Sequence, residues 1–381
     1  MKRDPLPFAV SSLSGPFDAL FGGAYLGRRV LVTGHTGFKG SWLALWLQAL
    51  GADVCGLALP AEPGLNHLRL LGLSMEEALV DLRDAGAVAD ALRRFQPEVV
   101  FHLAAQPLVR RSYREPAATF DTNVRGLVNL LEAVRATTGV KAVVNATTDK
   151  CYLNRERAQG YREDDALGGH DPYSASKACA EIVSASWRAS FLAVRGIGLA
   201  TARAGNVVGG GDWSEDRLVP DLVRSATSGR PVAIRYPQAT RPWQHVLEPL
   251  AGYLILGERL LADPAAFAEP WNFGPDAAGE LSVAEVIVAF ARQWSAVRCD
   301  VDRSPQPHES GLLHLDCRKA RERLGWRPVW NVATTFERSV AWYRRQHEQG
   351  AVDSRADLER YVADARRAGL PWAMERIAEA A

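Results

Sequence analysis

Short apolar runs alternate with amphipathic segments over the first 205 residues of the chain. The apolar runs predict six buried strands, at 29–33, 53–59, 78–81, 98–105, 140–147 and 195–202. Between them, apolar residues recur at helical spacing, and the two longest such segments predict helices at about 116–137 and 173–190. Alternating strands and helices are typical of a parallel sheet with right-handed crossovers. The pattern therefore predicts the α/β fold class with a doubly wound parallel sheet.

The alternation weakens after residue 205, where prolines and glycines separate shorter elements. We expect residues 206–345 to form a smaller α+β region that binds the substrate and covers the carboxyl ends of the strands, with some segments returning to the main domain at 27–205. Residues 1–26 contain several Pro and Gly breakers, which predicts a loosely structured N-terminal arm. Residues 346–381 are charged and helix-prone, which predicts a helical C-terminal tail.

Composition narrows the class of protein. A formal net charge of +1 over 381 residues gives no electrostatic reason to expect a nucleic-acid or membrane partner. The apolar runs are shorter than a membrane span, and the first 26 residues lack the apolar core of a secretory signal. The five cysteines are scattered without a C-x-x-C pair, which favours a reducing compartment over structural zinc. We therefore expect a cytoplasmic protein with no metal site.

The first predicted strand runs into a glycine-rich turn over residues 34–40 and then into a helix. Gly34 can adopt a positive φ in the turn, Gly37 allows a pyrophosphate to approach the backbone, and Gly40 allows the helix to lie close to the strand. The helix N-terminus then presents N–H groups and a positive dipole end to phosphates. An ordinary glycine-rich turn has the same spacing, but the flanking strand and helix favour a dinucleotide site. Residues 27–205 are thus predicted to be a Rossmann domain.

Two further polar clusters are candidates for chemistry. Tyr173 and Lys177 are four residues apart at a predicted helix start, so the ammonium can lie beside the phenol and lower its pKa. Such a tyrosine can remove a hydroxyl proton, although an ordinary amphipathic helix can carry the same pair. The Thr-Thr-Asp-Lys sequence at 147–150 ends the fifth predicted strand, where parallel sheets bind ligands and where strand caps are also polar. Together with the glycine turn, the clusters favour an oxidoreductive site.

These motifs resemble those of the extended short-chain dehydrogenase/reductases that modify nucleotide sugars, and in particular the 4,6-dehydratases that act on CDP-glucose. The resemblance extends from about residue 25 to 345, and several of the segments that carry it are too long to match by chance. These segments are residues 33–42, 106–110, 149–152, 203–213, 241–250, 271–275 and 324–326.

The resemblance implies a reaction in deoxysugar biosynthesis. Tyr173, assisted by Lys177 and Thr148, would remove the C4 hydroxyl proton of the sugar while a hydride passes to NAD. Asp149 would protonate the departing C6 hydroxyl, and the hydride would return to C6, so the 4-keto-6-deoxy product is formed without an external oxidant. Lys150 takes the place of a glutamate that removes the C5 proton in related dehydratases, so Lys150 is expected either to abstract that proton or to stabilise the enolate.

The resemblance also implies binding residues. The expected cofactor contacts are Gly34, Thr36, Gly37, Phe38, Gly40, Asp81, Leu82, Ala104, Ala105, Gln106, Asn123, Tyr173 and Lys177. The expected substrate contacts are Gln106, Asn206, Arg217, Arg235, Arg241 and His308. The second predicted strand ends without the acidic residue that normally selects NAD over NADP. His35 and Lys39 are then expected either to meet a 2′-phosphate or to face solvent.

Other functions stay open from the sequence. A 4-epimerase, or a 4,6-dehydratase acting on a dTDP-, GDP- or UDP-linked sugar, would use the same fold. A catalytically silent NAD-binding sensor would also keep the fold, but it would have no need of Tyr173, Lys177, Thr148 and Asp149 together. The resemblance further implies a homodimer, in which the helices at about 116–137 and 173–190 form a four-helix bundle.

Overall fold

The computed structural model describes residues 17–276, 279–304 and 312–374. Its strands are β1 (Arg29–Thr33), β2 (Asp53–Ala58), β3 (Glu76–Leu79), β4 (Val99–His102), β5 (Ala142–Ala146), β6 (Gly198–Ala204), β7 (Asn206–Val208), β8 (Val232–Ile234), β9 (Thr240–His245), β10 (Pro270–Phe273), β11 (Glu280–Ser282) and β12 (Cys299–Val301). Its α-helices are α1 (Phe38–Ala49), α2 (His67–Leu71), α3 (Ala85–Phe95), α4 (Val109–Arg114), α5 (Pro116–Phe120), α6 (Gly126–Ala136), α7 (Pro172–Trp187), α8 (Leu218–Ser228), α9 (Leu247–Ala262), α10 (Pro264–Phe267), α11 (Val283–Gln293), α12 (Val332–Gln349) and α13 (Ser354–Arg367).

Seven parallel strands form the central sheet, in the order β10-β6-β5-β4-β1-β2-β3. From β1 the chain builds outward through β2 and β3, and it then crosses to the other side of β1 for β4, β5 and β6. The predicted α/β fold with a doubly wound parallel sheet is confirmed. The strand order reverses between β1 and β4, and a crevice at such a reversal is where open α/β sheets bind ligands.

Helices cover both faces of the sheet. Alternate residues of each strand point to opposite faces, so a strand that is apolar throughout needs a helix layer on each side. Val30 and Val32 of β1 pack in one core with Trp42 and Trp46 of α1 and with α9. Leu31 points the other way and packs with α3 and α6. This burial on both faces explains why the strands have continuous apolar runs rather than alternating apolar and polar residues.

Beyond residue 204, the described residues form two small sheets, with strand orders β11-β9-β7 and β12-β8. They lie in the part of the chain for which an α+β region is predicted. Two elements from this part join the main sheet instead: β10 pairs with β6, and α9 packs against β5 and β6. Pro270 pairs with Thr201 at the start of the β10–β6 ladder.

The two ends of the described chain pack against each other. The Phe21 ring stacks on the Trp372 ring with centroids 5.0 Å apart, and the Tyr25 hydroxyl donates a hydrogen bond to the Leu254 carbonyl of α9 at 2.5 Å. Residues 17–26 are therefore packed rather than loose as predicted, because their aromatic side chains are buried. The rest of the predicted arm, residues 1–16, lies outside the described residues. In the described ranges no helix is long and apolar enough to cross a membrane.

Candidate functional site

A cavity of about 1530 Å³ opens at the carboxyl ends of β1, β4 and β5. Residues from before and after position 205 line the cavity, so the small sheets complete a site that begins on the central sheet. Most of the predicted site residues line it: Gly34, Thr36, Gly37, Phe38, Gly40, Asp81, Leu82, Ala104, Ala105, Gln106, Thr148, Asp149, Lys150, Tyr173, Lys177, Asn206, Arg217, Arg235 and Arg241. Asn123 is not among the lining residues, and His308 lies outside the described residues.

The glycine turn has the backbone geometry of a phosphate-binding loop. Gly34 has φ +74°, and a Cβ at this position would lie 2.7 Å from the Ala104 nitrogen. A Cβ at Gly40 would lie 2.1 Å from the Gly34 carbonyl oxygen, so only glycine allows α1 to approach the turn this closely. Gly37 is the N-cap of α1, where no side chain caps the helix. The first N–H groups of α1 thus face the cavity without a side-chain acceptor, as an anion site requires.

His35 is fully buried, so neither expectation for this residue is correct. Its Nε2 lies 2.8 Å from Glu77 Oε1, and its ring packs against Gly56 of β2. A Cβ at Gly56 would lie 2.4 Å from the ring, so this glycine provides the space that the histidine occupies. His35 consequently cannot meet a 2′-phosphate without leaving Glu77.

Lys39 is half-buried and lines the cavity. Burial lowers its pKa to about 7, with further lowering by Arg217 and Lys177, while Asp149 and Asp212 act to raise it. Four charged groups from different parts of the fold therefore surround this ammonium. Sequence reasoning missed this environment, because the glycine motif alone does not show which side of α1 faces the cavity.

Tyr173 and Lys177 lie on one face of α7, a helix that begins with Asp171 accepting a hydrogen bond from the Ser174 N–H at 2.9 Å. Both are buried, and Lys177 Nζ donates to the Ala146 carbonyl of β5 at 3.1 Å. Burial raises the pKa of Tyr173 to about 12, although a hydrogen bond between Tyr173 and Thr148 acts to lower it. Burial lowers the pKa of Lys177 to about 8. The predicted lowering of the tyrosine pKa is therefore wrong for this structure, in which burial of the phenol outweighs its neighbours.

Thr148 lies two residues after the end of β5 and is the N-cap of a single turn of 3-10 helix, Asp149–Cys151. The Thr148 hydroxyl donates to Asp149 Oδ1 at 3.0 Å and accepts from the Lys150 N–H at 3.3 Å. Asp149 is buried, whereas Lys150 is half-buried and its side chain reaches the cavity wall. The turn thus places a hydroxyl and a carboxyl near Tyr173, and Lys150 lines the same cavity.

The comparisons with known proteins agree with this site. The profile of the GDP-mannose 4,6-dehydratase family matches residues 31–339. The chain belongs to this family, one of the extended short-chain dehydrogenase/reductases.

Among its relatives, the chain is similar to the CDP-glucose 4,6-dehydratase of Salmonella typhimurium, with 47% identity over 88% of this chain and 96% of the relative. It is 26% identical to a dTDP-glucose 4,6-dehydratase of Xanthomonas campestris, over 87% of this chain and 97% of that one. A solved dTDP-glucose 4,6-dehydratase from Streptomyces venezuelae, with NAD and TYD bound, has a TM-score of 0.72 and 27% identity, and covers 84% of this chain and 98% of that one. The Thermus thermophilus UDP-glucose 4-epimerase in complex with NAD has a TM-score of 0.71 and 26% identity, over 83% and 99%.

Asn123 is predicted to contact the cofactor, but in the structure it forms hydrogen bonds with the protein next to the cavity. Its amide accepts from the Gln106 N–H at 2.8 Å and donates to the Gln106 carbonyl at 3.1 Å and to Ser176 of α7 at 2.9 Å. The Gln106 side chain in turn bonds Leu108 and Thr119. Both predicted contact residues therefore hold the loop after β4 in place, and their amides are used within the protein.

The predicted substrate-binding arginines line the second half of the cavity. Arg217 lies 3.3 Å from Asp212, and Arg235 lies 3.1 Å from Asp216, whereas the Arg241 guanidinium donates to the Thr240 carbonyl at 2.9 Å. The aspartates orient two of these guanidinium groups.

Sequence reasoning missed a fourth guanidinium on the same wall, that of Arg110 on α4, which lies 3.9 Å from Asp216. Its signal was present in the segment at 106–110. Several cations thus converge on one wall, as a site for a diphosphate requires.

Proposed function

We propose that this chain converts CDP-glucose to CDP-4-keto-6-deoxyglucose with NAD as cofactor, as a hydro-lyase of deoxysugar biosynthesis. The main support for this proposal is that three groups of residues line one cavity: the phosphate-binding glycine loop, Tyr173 with Lys177, and Asp149 with Lys150. These groups are what an oxidation at C4 and an elimination across C5 and C6 both need. The choice of CDP-glucose is supported by the identity to the Salmonella enzyme of that name.

The glycine loop fits the pyrophosphate of NAD, because Gly34 and Gly40 bring the uncapped start of α1 against the cavity. NAD, when bound, supplies the reversible oxidation of C4 and the reduction of C6. Tyr173 accepts the proton of the C4 hydroxyl in its phenolate form, which burial disfavours and the hydrogen bond with Thr148 favours. Lys177, one helical turn after Tyr173 and bonded to the Ala146 carbonyl, favours this phenolate, whose negative charge is lost when it accepts the proton.

Elimination follows from the 4-ketone, which makes the C5 hydrogen acidic. Asp149 donates a proton to the departing C6 hydroxyl, and its buried position against Thr148 fixes the carboxyl beside Tyr173. Lys150 lines the cavity wall, and we assign it either the stabilisation of the enolate oxygen or the removal of the C5 proton. The arginines of the opposite wall bind the nucleotide diphosphate.

The test is incubation of the purified protein with CDP-glucose and NAD, followed by mass spectrometry and by the absorbance of the ketone in alkali. We expect a product lighter by one water (~18 Da, the molecule lost in acid-assisted elimination) with no net NADH. Tyr173→Phe should lower turnover by about 10²- to 10⁴-fold, the range of one proton-transfer group. Asp149→Asn should lower elimination more than C4 oxidation, seen as sugar oxidised without loss of water.

Other outcomes of this assay separate the alternatives. Conversion of a dTDP-, GDP- or UDP-linked sugar in place of CDP-glucose would retain the mechanism and refute the proposed nucleotide. A product of unchanged mass would indicate a 4-epimerase. Binding of NAD without turnover of any sugar nucleotide would indicate the silent sensor.

We further propose a cytoplasmic homodimer in which α5, α6 and α7 meet the same helices of a second copy. Apolar side chains on these helices are exposed in the single chain, including Phe120 at 37% and Ile182 at 58%. The cytoplasmic location is supported by the five cysteines, of which none is in a disulfide.

A further inference from the structure

A buried ion pair lies directly behind the proposed catalytic cluster. Glu181 is on α7, four residues after Lys177 and eight after Tyr173, so the three side chains share one face of the helix. A Glu181 oxygen lies 2.8 Å from the Arg203 guanidinium of β6, and each side chain is only 3% exposed. Replacing such a pair by apolar residues is often neutral or stabilising, so stability alone does not account for it.

The pair holds the catalytic turn from both of its ends. Thr147, the residue before Thr148, donates to one oxygen of Glu181. Tyr152, two residues after Lys150, accepts a hydrogen bond from Arg203 at 2.8 Å and donates to Asn272 of β10 at 2.7 Å. Residues 148–150 are therefore flanked by two residues, Thr147 and Tyr152, that each form a hydrogen bond with the Glu181–Arg203 pair.

We infer that Glu181 and Arg203 are positioning residues, which hold the acid–base turn at 148–150 against Tyr173 and place a carboxylate one helical turn from Lys177. The inference rests on the proposed function for the roles of the turn, but the contacts themselves do not depend on it. Glu181 acts on the turn through Thr147, and Arg203 acts on it through Tyr152.

The charged and titratable groups around Lys177 support the second part of the inference. Burial lowers the pKa of Lys177, and Glu181 from its own helix and the Cys151 thiol act to raise it. Lys39 of α1 and His102 of β4 also face Lys177, and the buried His102 is neutral at physiological pH. Although burial acts to raise the pKa of Glu181, Arg203 and two threonine hydroxyls lower it, so Glu181 is the anion that favours the ammonium.

Two threonines provide a matched test of positioning. Thr147 and Thr201 are both buried and both donate to the Glu181 carboxylate, Thr201 at 2.7 Å, but only Thr147 adjoins the catalytic turn. We expect Thr147→Val to lower kcat for CDP-glucose about tenfold or more with little change in KM, because the turn is misplaced by a fraction of an ångström. Thr201→Val should lose comparable thermal stability and keep kcat within about twofold. An unchanged kcat in both variants, or a loss of kcat that is as large in Thr201→Val as in Thr147→Val, would refute the positioning role.

The charge effect is tested with Glu181→Gln, read out by NMR. The chain has six lysines, so ¹³C labelling at lysine Cε gives few signals, and Lys177→Met assigns the one of interest. We expect the pKa of Lys177 to fall by about one unit in Glu181→Gln, since an anion that favours the ammonium is removed. The alkaline limb of the kcat profile should move to lower pH by the same amount. An unchanged lysine titration would overturn the inference about Lys177.

These experiments separate failure of the inference from failure of the proposed function. If wild-type protein does not convert CDP-glucose, the proposed function fails, while the lysine titration still tests the effect of Glu181. If Glu181→Gln does not fold, the two threonine variants still decide the positioning role. If wild-type protein is active and both readouts are unmoved, the inference alone is refuted.

Discussion

At the scale of single residues, the phosphate loop contains a histidine that serves the fold. His35 stands between Gly34 and Thr36, where sequence suggests contact with a ligand or with solvent, yet its ring is buried between the loop and β2 and bonded to Glu77. Gly56 makes this possible, since any side chain on β2 at that point would occupy the ring's space. The histidine thereby connects the loop to the sheet beneath it.

This arrangement predicts that Gly56→Ala destabilises the protein by about 1–3 kcal/mol, the usual cost of overpacking a core. The added Cβ would lie 2.4 Å from the His35 ring. Gly86→Ala in α3 is the matched control, because the nearest atom to its Cβ is 3.5 Å away. The double variant Gly56→Ala/His35→Ala should recover much of the loss. Thermal unfolding measures all three, and equal stability of Gly56→Ala and Gly86→Ala would contradict the packing described.

At the scale of elements, the segment from α5 to α6 is one helix interrupted by a wider turn. Residues Asp121–Arg125 form a π-helical turn, and Asn123 lies within it. Such turns are frequent at functional sites, since they redirect a side chain without ending the helix. Here Asn123 bonds both the loop after β4 and α7. The apolar periodicity of 116–137 predicts the helix but not the turn inside it.

The exposed apolar side chains of α5, α6 and α7 allow the proposed homodimer to be tested. We expect Ile182→Glu to convert the proposed homodimer into a monomer, because a buried unpaired charge at an interface is costly. Val288→Glu on α11 is the control, since Val288 is 51% exposed and lies outside the proposed bundle. Light scattering after size exclusion gives the mass of each variant. A wild-type monomer, or an Ile182→Glu dimer, would refute this interface.

At the scale of the whole molecule, Glu248 joins three distant parts of the chain. This fully buried carboxyl of α9 accepts hydrogen bonds from the Trp330 N–H, the Val329 N–H and the Tyr361 hydroxyl of α13, all between 2.8 and 2.9 Å. Burial raises its pKa to about 7, and the three donors oppose this rise. The C-terminal helix is thus attached to the core through a group that titrates near neutrality.

The sign of the resulting pH dependence follows from proton binding. The folded state binds the Glu248 proton up to about pH 7, whereas an unfolded chain releases it near the ordinary value of 4.5. The stability that Glu248 contributes is therefore present below pH 4.5 and is lost as pH rises through 7. From about pH 5.5 to about pH 7.5, the free energy of unfolding of wild-type protein should fall by about 1–2 kcal/mol relative to Glu248→Gln.

Urea unfolding at the two pH values measures this difference. Glu337→Gln, at an exposed position of α12, is the control and should follow wild-type protein at both pH values. A constant difference between wild-type protein and Glu248→Gln would show that Glu248 has an ordinary pKa in the fold.

The amino-acid sequence was enough to predict the parallel sheet, the phosphate loop and the spacing of Tyr173 and Lys177. Each of these depends on residues close together in the chain: apolar runs predict strands, Gly34 to Gly40 form one turn, and a four-residue spacing places two side chains on one helix face.

The pKa shifts of the site residues and their hydrogen-bond and ion-pair partners could be seen only in the folded chain. The direction of the Tyr173 pKa, the burial of His35 and the pairing of Arg217 and Arg235 with aspartates depend on which groups face each one and how much water they exclude. The Glu181–Arg203 pair joins a helix to a strand, and the tie from Glu248 to Tyr361 spans 113 residues. Local patterns do not encode such distances, because desolvation and long-range contacts exist only once the chain has folded.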